Sequence, residues 1–179
     1  MGDERRPLIA TEHLLLQPHH PDDFEEWVSF VSDQSLYQYI GWPNFTREDL
    51  WNRLLRFAGH WSLFGWGLFL VRARDTGAVL GETGFADFHR GLGPDFDPAP
   101  EAAWIFARAV QGSGFAREAA QAAHAWRERA HGAARTVCII DPANAPSLRV
   151  AARLAYRVYG EAIYREKTVL KLERVPVGG

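Results

Sequence analysis

The hydrophobic positions in the first third of the chain predict one strand followed by two helices. A β-leaning run covers Leu8–Gln17 and stops at Pro18. Pro21 and the two aspartates after it suit a helix start, and the apolar residues that follow repeat at helical spacing: Phe24, Trp27, Val28 and Val31. Thr46 can cap a second helix that runs to about His60, whose apolar side consists of Leu50, Leu54 and Phe57.

The rest of the chain predicts a meander of strands and then alternating helices and strands. Residues 65–73 and 78–88 are apolar runs that flank Asp75-Thr76-Gly77. A turn sequence of this kind between two strands strongly predicts a β-hairpin. Residues 101–108 form a third apolar run after a turn-rich loop. The remaining segments are a helical stripe (116–130), a short strand (135–140), a second helical segment (144–156) and a tail with one or two strands (156–174). This order predicts a mixed α/β domain.

The composition predicts one soluble domain that covers residues 1–179. A chain of 179 residues with 47% hydrophobic and 23% charged residues is ordinary for a globular protein. The first ten residues mix acids and bases and do not resemble a signal peptide, and no apolar run reaches the length of a membrane span. We therefore expect a cytoplasmic protein.

Charge and cysteine content exclude several classes of partner and site. The net charge of −2 gives no reason to expect nucleic acid or an anionic membrane as a partner. Cys138 is the single cysteine, which excludes a disulfide framework and a cysteine-based zinc site. His19 and His20 have no partner at ligand spacing, so we interpret them as a solvated loop and expect no metal.

Two glycines, Gly112 and Gly114, precede the helical stripe of residues 116–130 and raise the question of a phosphate site. A helix N-terminus exposes unpaired N–H groups and carries partial positive charge, and glycine lets a phosphate approach the backbone. A Walker loop is excluded because Gly-Lys-Ser/Thr is absent, and a dinucleotide fingerprint because Arg117 stands at its third glycine. Taken alone, the glycine pair fits a phosphate cradle and a plain turn equally well.

Four motifs in order resemble the GNAT (GCN5-related N-acetyltransferase) superfamily, in particular its RimJ/RimL-like branch. Residues 111–116, Gln-Gly-Ser-Gly-Phe-Ala, are similar to the family's Gln/Arg-x-x-Gly-x-Gly/Ala loop. The other three are similar to the branch's opening strand, its Glu-Ile-Gly-Tyr-Trp-Leu strand and its Asp-Pro-x-Asn-x-x-Ser segment: residues 11–16, 101–106 and 141–147. The last of the four motifs continues at residues 153–156, which fit the branch's Lys-Leu-Gly-Phe. The resemblance covers nearly the whole chain.

The resemblance implies a fold, a reaction and a cosubstrate. The fold is a mixed, largely antiparallel sheet, splayed at the cofactor site and flanked by about four helices. The reaction moves an acetyl group from acetyl-coenzyme A to a primary amine, on a peptide or protein N-terminus or a small molecule, by direct attack in a ternary complex. A catalytically idle acyl-coenzyme A-binding module and an unrelated phosphate- or nucleotide-binding α/β protein remain as alternatives.

The resemblance also carries a set of cofactor-binding residues onto this chain. These are Trp104, Ile105, Phe106, Gln111, Gly112, Ser113, Gly114, Phe115, Ala116, Asn144, Ser147 and Arg153. A backbone N–H within residues 104–106 would meet the oxyanion. Asn144 would bind the pantetheine arm, or it serves only as a helix cap.

Two residues are candidates for the proton transfers. Glu101 would be the general base, working through a water; the alternative is an exposed glutamate at a strand start. Many relatives place an acidic tyrosine seven residues after the asparagine, but Ala151 occupies that position here. Ser147 is the branch's substitute for that acid, or a first-turn serine that bonds its own helix.

The resemblance also implies that the segment between the first two helices lines the acceptor site, and in this chain large aromatic residues share that segment (37–45) with glycine and proline. Tyr37, Tyr39 and Trp42 would line an apolar pocket there, or they pack in the core. His89 follows a strand near the same place and would be a further pocket residue, or simply an exposed imidazole. The acceptor and the oligomeric state cannot be inferred from the sequence.

Overall fold

The structure, a computed structural model, describes residues 8–39 and 44–176 and contains eight strands and four α-helices in that part of the chain. The strands are β1 (Ile9–Ala10), β2 (Leu14–Pro18), β3 (Leu68–Ala73), β4 (Val79–Ala86), β5 (Glu101–Phe106), β6 (Thr136–Ile140), β7 (Arg157–Tyr164) and β8 (Lys167–Arg174). The helices are α1 (Phe24–Val31), α2 (Arg47–Phe64), α3 (Phe115–His131) and α4 (Ala145–Arg153). Short 3₁₀ turns lie at Pro21–Asp23, Gln34–Tyr37 and Arg108–Val110.

All eight strands form one sheet in the order β1-β2-β3-β4-β5-β6-β8-β7. Every neighbouring pair is antiparallel except β5 and β6, which run parallel because the crossover helix α3 connects them. The sequence prediction of a mixed, largely antiparallel α/β fold with four flanking helices is confirmed.

The helices begin and end where local chemistry favours it. The Thr46 hydroxyl caps α2 by accepting a hydrogen bond from the Asp49 backbone N–H, and the Asp49 carboxylate accepts one from the Thr46 backbone N–H. This helix runs four residues beyond the predicted end at His60 and stops at Gly65, which adopts a left-handed conformation. Hence the sequence located the start of α2 better than its end.

The helices cover both faces of the sheet and enclose two hydrophobic clusters. Helix α3 packs through Ala119, Ala120 and Ala123 on a cluster that includes Leu16 and Phe85. Helices α1 and α2 cover the opposite face with a second cluster, whose fully buried members are Trp27, Leu54 and Leu70. The middle of the sheet, including β5, therefore has helices on both of its faces.

The strand predicted over Leu8–Gln17 is in fact two strands joined by a tight turn. Thr11 closes this turn: its backbone N–H donates to the Leu14 carbonyl (2.9 Å), and its hydroxyl accepts from Leu14 N–H (3.0 Å). The threonine side chain thus competes with the strand ladder for hydrogen bonds, which breaks the predicted strand.

The prediction that His19 lies in a solvated loop is wrong. The side chain is buried, and its Nε2 lies 2.7 Å from a carboxylate oxygen of Glu82, which also accepts a 2.6 Å bond from Trp27 Nε1. Burial alone would raise the pKa of Glu82, but the hydrogen bond with His19, the charge of Arg53 and the Trp27 bond outweigh it and lower the pKa. A buried carboxylate is costly without hydrogen-bond partners, and His19 supplies one to Glu82. This favours the burial of His19, whereas His20 is exposed.

A second buried network links α3 to the strand region through His124. Its Nδ1 lies 2.7 Å from the Ala120 carbonyl, which can only accept, so Nδ1 carries the proton. Nε2 then accepts from the Tyr156 hydroxyl (2.9 Å), and Thr136 donates to that hydroxyl oxygen (2.6 Å). Burial lowers the pKa of His124 to about 4, which keeps the imidazole neutral in the native state.

This network should make stability depend on pH. An unfolded histidine has a pKa near 6.5, so between about pH 6.5 and about pH 4 the unfolded state binds a proton that the native state does not. Native stability therefore falls as the pH drops through that window. The free energy of unfolding, measured with urea, should therefore fall between about pH 6.5 and about pH 4. We expect this fall to be about 3 kcal/mol smaller in His124→Gln than in the wild type. Equal losses in the two proteins would contradict the neutral assignment.

Within residues 8–39 and 44–176, no helix is both long and apolar enough to cross a membrane. The same part of the chain holds no group of three histidine, cysteine, aspartate or glutamate side chains positioned to bind a metal ion.

Candidate functional site

The central feature of the site is a fork between β5 and β6. The two strands pair only at Glu101 and Val137 and diverge beyond that pair. On its other edge, β5 pairs with β4 along its whole length. The fork therefore opens in the direction of the residues that follow each strand, which are the glycine loop after β5 and the start of α4 after β6.

The register of β5 aims two of its peptide groups into the fork. Ala107 N–H donates to the Leu80 carbonyl of the β4 side (2.9 Å). Because hydrogen-bonding direction alternates along a strand, Ile105 also bonds toward β4, whereas Trp104 and Phe106 point toward β6. Since β6 has already diverged there, the N–H groups of Trp104 and Phe106 face the fork.

A groove of about 490 Å³ runs along the fork, and we call it the donor groove. It is lined by ten of the predicted cofactor-binding residues: Trp104, Ile105, Phe106, Gln111, Gly112, Gly114, Ala116, Asn144, Ser147 and Arg153. The structure thus brings together residues that are up to 49 positions apart in the sequence.

The glycine loop has the conformation of an anion cradle at the end of this groove. Gly112 and Gly114 adopt φ angles of 86° and 90°, which favour glycine, and a Cβ on either would meet no protein atom within 4 Å. Among the described residues, no partner accepts from the N–H groups of Gly112, Gly114, Ala116 or Arg117. Unpaired amides at the start of the 17-residue helix α3 suit a pyrophosphate.

Two predicted cofactor residues, Ser113 and Phe115, do not line the groove. The Ser113 hydroxyl donates to the Val110 carbonyl (2.6 Å) and accepts from Phe115 N–H (3.3 Å), so it closes the loop on itself. The Phe115 ring packs 5.6 Å from the ring of His13. Both side chains shape the loop from outside the groove.

Sequence reasoning missed most of the cations at this groove. Arg108, Arg117 and Arg149 line it together with the predicted Arg153. The spacing of Arg149 and Arg153, four residues apart on α4, puts both on one helix face and is a signal that the sequence offered. Four guanidinium groups around unpaired amides make the groove suited to a ligand with several phosphates.

Asn144 and Ser147 stand where the donor groove meets a second cavity. Asn144 caps α4, because its Oδ1 accepts from Ser147 N–H (3.2 Å). The side-chain NH₂ of Asn144 and the hydroxyl of Ser147 have no hydrogen-bond partner among the described residues. Both groups line the two cavities, so the cap and a ligand contact are compatible in Asn144.

Substituting Asn144 by alanine should separate its two roles. Loss of the cap is expected to lower the free energy of unfolding by about 1 kcal/mol. Loss of the amide donor should in addition weaken coenzyme A binding about fivefold or more, as expected for one hydrogen bond of about 1 kcal/mol. Denaturant unfolding and calorimetry measure the two effects. Reduced stability with unchanged affinity would limit Asn144 to capping.

The second cavity, about 290 Å³, lies on the Glu101 side of the fork, and we call it the acceptor cavity. It shares Tyr39, Trp104, Asn144 and Ser147 with the donor groove. Its other polar walls are Arg90, Glu101, Asp141, Tyr164, Arg165 and Lys167. The two cavities therefore meet beside the unpaired strand edge of β5.

Glu101 is buried, with 4% of its surface exposed, rather than an exposed glutamate at a strand start. One carboxylate oxygen accepts a 2.6 Å bond from Arg90 Nε, and the Arg90 guanidinium stacks on Phe88 (4.4 Å) and Tyr164 (4.8 Å). Burial raises the pKa of Glu101, although the charge and hydrogen bond of Arg90 oppose the shift. The result is a fixed carboxylate with enhanced basicity at the cavity wall.

The four residues predicted for the acceptor pocket have different positions. Tyr39 lines both cavities. Tyr37 is buried in the α1/α2 cluster, where its hydroxyl donates to the Val31 carbonyl (2.9 Å), so the structure places it in the core and not in the pocket. His89 points to solvent beside Asp87, away from both cavities. Trp42 lies outside the described residues.

Comparison with known proteins identifies relatives over most of the chain. Residues 13–157 match the family model of the acetyltransferase (GNAT) domain. The chain is 26% identical over 152 residues to the uncharacterized N-acetyltransferase YnaD of Bacillus subtilis (strain 168), an alignment that covers 85% of this chain and 84% of that protein.

Solved structures are similar over almost the full length. A protein described as a GNAT-family acetyltransferase from Bordetella pertussis has a TM-score of 0.87 and 36% identity, covering 95% of this chain and 100% of that one. RimL, the ribosomal L7/L12 alpha-N-protein acetyltransferase solved in complex with coenzyme A, has a TM-score of 0.79 and 16% identity, covering 94% and 98%. At that identity the likeness to RimL shows the fold alone.

Proposed function

The chain belongs to the acetyltransferase (GNAT) family, and we propose that it transfers an acetyl group directly to a primary amine, as an N-acetyltransferase of the RimJ/RimL-like branch. As a member of this family it is an acyltransferase that uses acetyl-coenzyme A. Support for the finer assignment comes from the four sequence motifs and from the way the two cavities meet. The acceptor is a peptide N-terminus or a small-molecule amine.

The donor groove holds the cosubstrate through the residues around its glycine loop. The N–H groups of Gly112, Gly114 and Ala116, which have no acceptor among the described residues, bind the pyrophosphate, and the surrounding arginines supply compensating charge. When bound, acetyl-coenzyme A supplies a thioester whose carbonyl carbon is the electrophile. The groove therefore orients acetyl-coenzyme A and neutralises the charge of its phosphates.

The unpaired strand edge supplies the oxyanion donor. Attack on a thioester carbonyl places negative charge on oxygen, and a preorganised N–H can contribute about 3 kcal/mol to the stability of that charge. The N–H of Trp104 faces the fork at the junction of the two cavities. We assign this group as the main donor and Phe106 N–H as the second.

Glu101 removes the proton that the amine must lose. A lysine-like amine has a pKa near 10.4, so at neutral pH fewer than about one molecule in a thousand is nucleophilic. Glu101 accepts the proton through a water while the amine nitrogen bonds to the acetyl carbon. Arg90 is a positioning residue, since it holds the carboxylate against the cavity without touching the reacting atoms.

The sulfur leaves as a thiolate and is protonated afterwards. Ala151, at the position of the tyrosine acid in many relatives, is fully buried and has no proton to give. The Ser147 hydroxyl lines both cavities and can deliver a proton, directly or from water. A thiol of pKa near 8.5 also leaves without strong acid assistance, so Ser147 carries only a modest part of the rate.

The single observation that carries this function is the junction of the two cavities beside the Trp104 N–H, with a buried carboxylate on the acceptor side. The test is a panel of amines incubated with acetyl-coenzyme A and the wild-type protein, with release of the thiol and mass of the product as readouts. The panel includes peptides with different N-terminal residues, amino acids and simple alkylamines. Tight coenzyme A binding with no acetylated product from any amine would instead support an idle acyl-coenzyme A-binding module.

A further inference from the structure

The acceptor cavity has unbalanced positive charge at its mouth. On its inner wall, Arg90 and Glu101 neutralise each other at 2.6 Å. Arg165 and Lys167 also line the cavity, and neither forms an ion pair with any described residue. The remaining acid, Asp141, already uses one oxygen to accept from Ala143 N–H (2.8 Å). Asp141 keeps its negative charge, so Arg165 and Lys167 leave the lining of the cavity with one net positive charge, and neither cation has a carboxylate within ion-pair distance among the described residues.

The backbone that carries Arg165 is in an unfavourable conformation. Tyr164 and Lys167 pair across β7 and β8, which leaves Arg165 and Glu166 as a two-residue hairpin turn. Both turn residues have positive φ angles, 50° and 64°. Such a turn strongly prefers Asn-Gly, because a side chain in the left-handed region costs free energy. An arginine at this position therefore costs conformational free energy, and this strain at a cavity wall is a reason to look for a role of its side chain.

The position of this turn suggests that role. Arg165 lies at the mouth of a cavity whose inner wall holds Glu101, and the cavity volume of about 290 Å³ is at the low end for small-molecule sites. An amine at Glu101 and an anionic group at Arg165 would therefore be separated by only a few bonds. A polycationic amine would meet Arg165 and Lys167 at the entrance of a cavity whose lining is positive overall, which disfavours its binding.

We propose that the acceptor is an amine that carries an anionic group, a carboxylate or a phosphate, and that Arg165 and Lys167 bind this group at the mouth of the acceptor cavity. The inference rests on the proposed N-acetyltransferase function and narrows its substrate class. The ammonium nitrogen enters toward Glu101, and the anion remains at the hairpin turn, where an arginine can bind it through two parallel hydrogen bonds.

The test compares acceptors that differ only in charge. Amino acids are paired with their carboxamides, which measures the effect of a carboxylate on kcat/KM. Phosphoethanolamine is paired with ethanolamine, which measures the effect of a phosphate. Spermidine is the polycationic acceptor. We expect kcat/KM to be about tenfold or more higher for the anionic member of at least one pair, as for loss of a charge-assisted hydrogen bond. Spermidine should be the poorest acceptor.

The double variant Arg165→Asn/Glu166→Gly gives the turn its preferred residues and removes the cation. Its melting temperature should rise, while the ratio of kcat/KM between anionic and neutral acceptors should fall toward one, mainly through KM. Glu166→Gly alone is the matched control: it relieves one strained residue and should keep the wild-type ratio.

Equal use of neutral and anionic amines by the wild type, or an unchanged ratio in the double variant, overturns the inference while N-acetyltransfer stands. Absence of product from every amine removes both.

Discussion

Glu101→Gln is expected to lower kcat at least about tenfold at neutral pH, because a positioned general base contributes roughly 10²–10⁴-fold to such a transfer. Glutamine keeps the shape of the side chain and can still accept a hydrogen bond from Arg90, but it cannot take a proton from the amine. Coenzyme A affinity should change little, since Glu101 lines the acceptor cavity and not the donor groove. The rate should partly recover at higher pH, where more of the amine is already neutral.

The measurement is a pH profile of kcat for both proteins with the same confirmed amine. Glu161→Gln removes an exposed carboxylate from β7 and serves as the control for the change of charge. Because the substitution removes the negative charge that faces the buried Arg90 guanidinium, denaturant unfolding should accompany the kinetics. A Glu101→Gln protein that matches the wild-type rate at every pH, with a normal fold, would exclude Glu101 as the base.

Gly114→Val should weaken coenzyme A binding about tenfold or more, the equivalent of about 1.4 kcal/mol. Gly114 has a φ of 90°, where a β-branched residue is strained, and the space that a Cβ would enter is empty of protein atoms. The valine would therefore occupy the volume in front of the unpaired loop amides and also tilt those amides away from the groove. Both effects remove contacts to a pyrophosphate.

Gly77→Val separates the ligand effect from backbone strain. Gly77 has a φ of 74° and likewise no protein atom within 4 Å of a built Cβ, but it lies in the β3–β4 hairpin, away from the donor groove. We expect both variants to lose similar stability and only Gly114→Val to lose affinity by calorimetry. Equal affinity of Gly114→Val and wild type would remove this loop from the cofactor site.

The parts of the fold that the sequence predicts well are those governed by local chemistry. The hairpin at Asp75–Gly77, the Thr46 cap and the Asn144 cap depend on residues a few positions apart, and each appears in the structure. The glycine loop belongs to the same class, because positive φ angles are a property of the loop itself. In these segments the tertiary structure agrees with the local preference.

The parts that the sequence does not reveal depend on which distant residues become neighbours. His19 was interpreted as solvated because its partner Glu82 lies 63 positions away. Tyr37 and Tyr39 are only two residues apart, yet one is in the core and the other lines the cavities, a distinction set by the 3₁₀ turn Gln34–Tyr37 and not by composition. The cations of the β7–β8 turn, Arg165 and Lys167, reach the acceptor cavity only through the sheet order.

The fork between β5 and β6 also affects how the stability of the whole molecule depends on its ligand. With one bridged pair between them, the five strands β1–β5 and the three strands β6–β8 are two panels that the sheet itself scarcely connects. The donor groove is lined from both panels, by Trp104 on one side and the segment of Asn144 on the other. A bound cosubstrate therefore contacts both panels and bridges them. At a concentration of 100 times Kd it adds about 2.7 kcal/mol to the free energy of unfolding of the native state. The equilibrium stability of the folded protein is therefore expected to rise with the concentration of its own acyl donor.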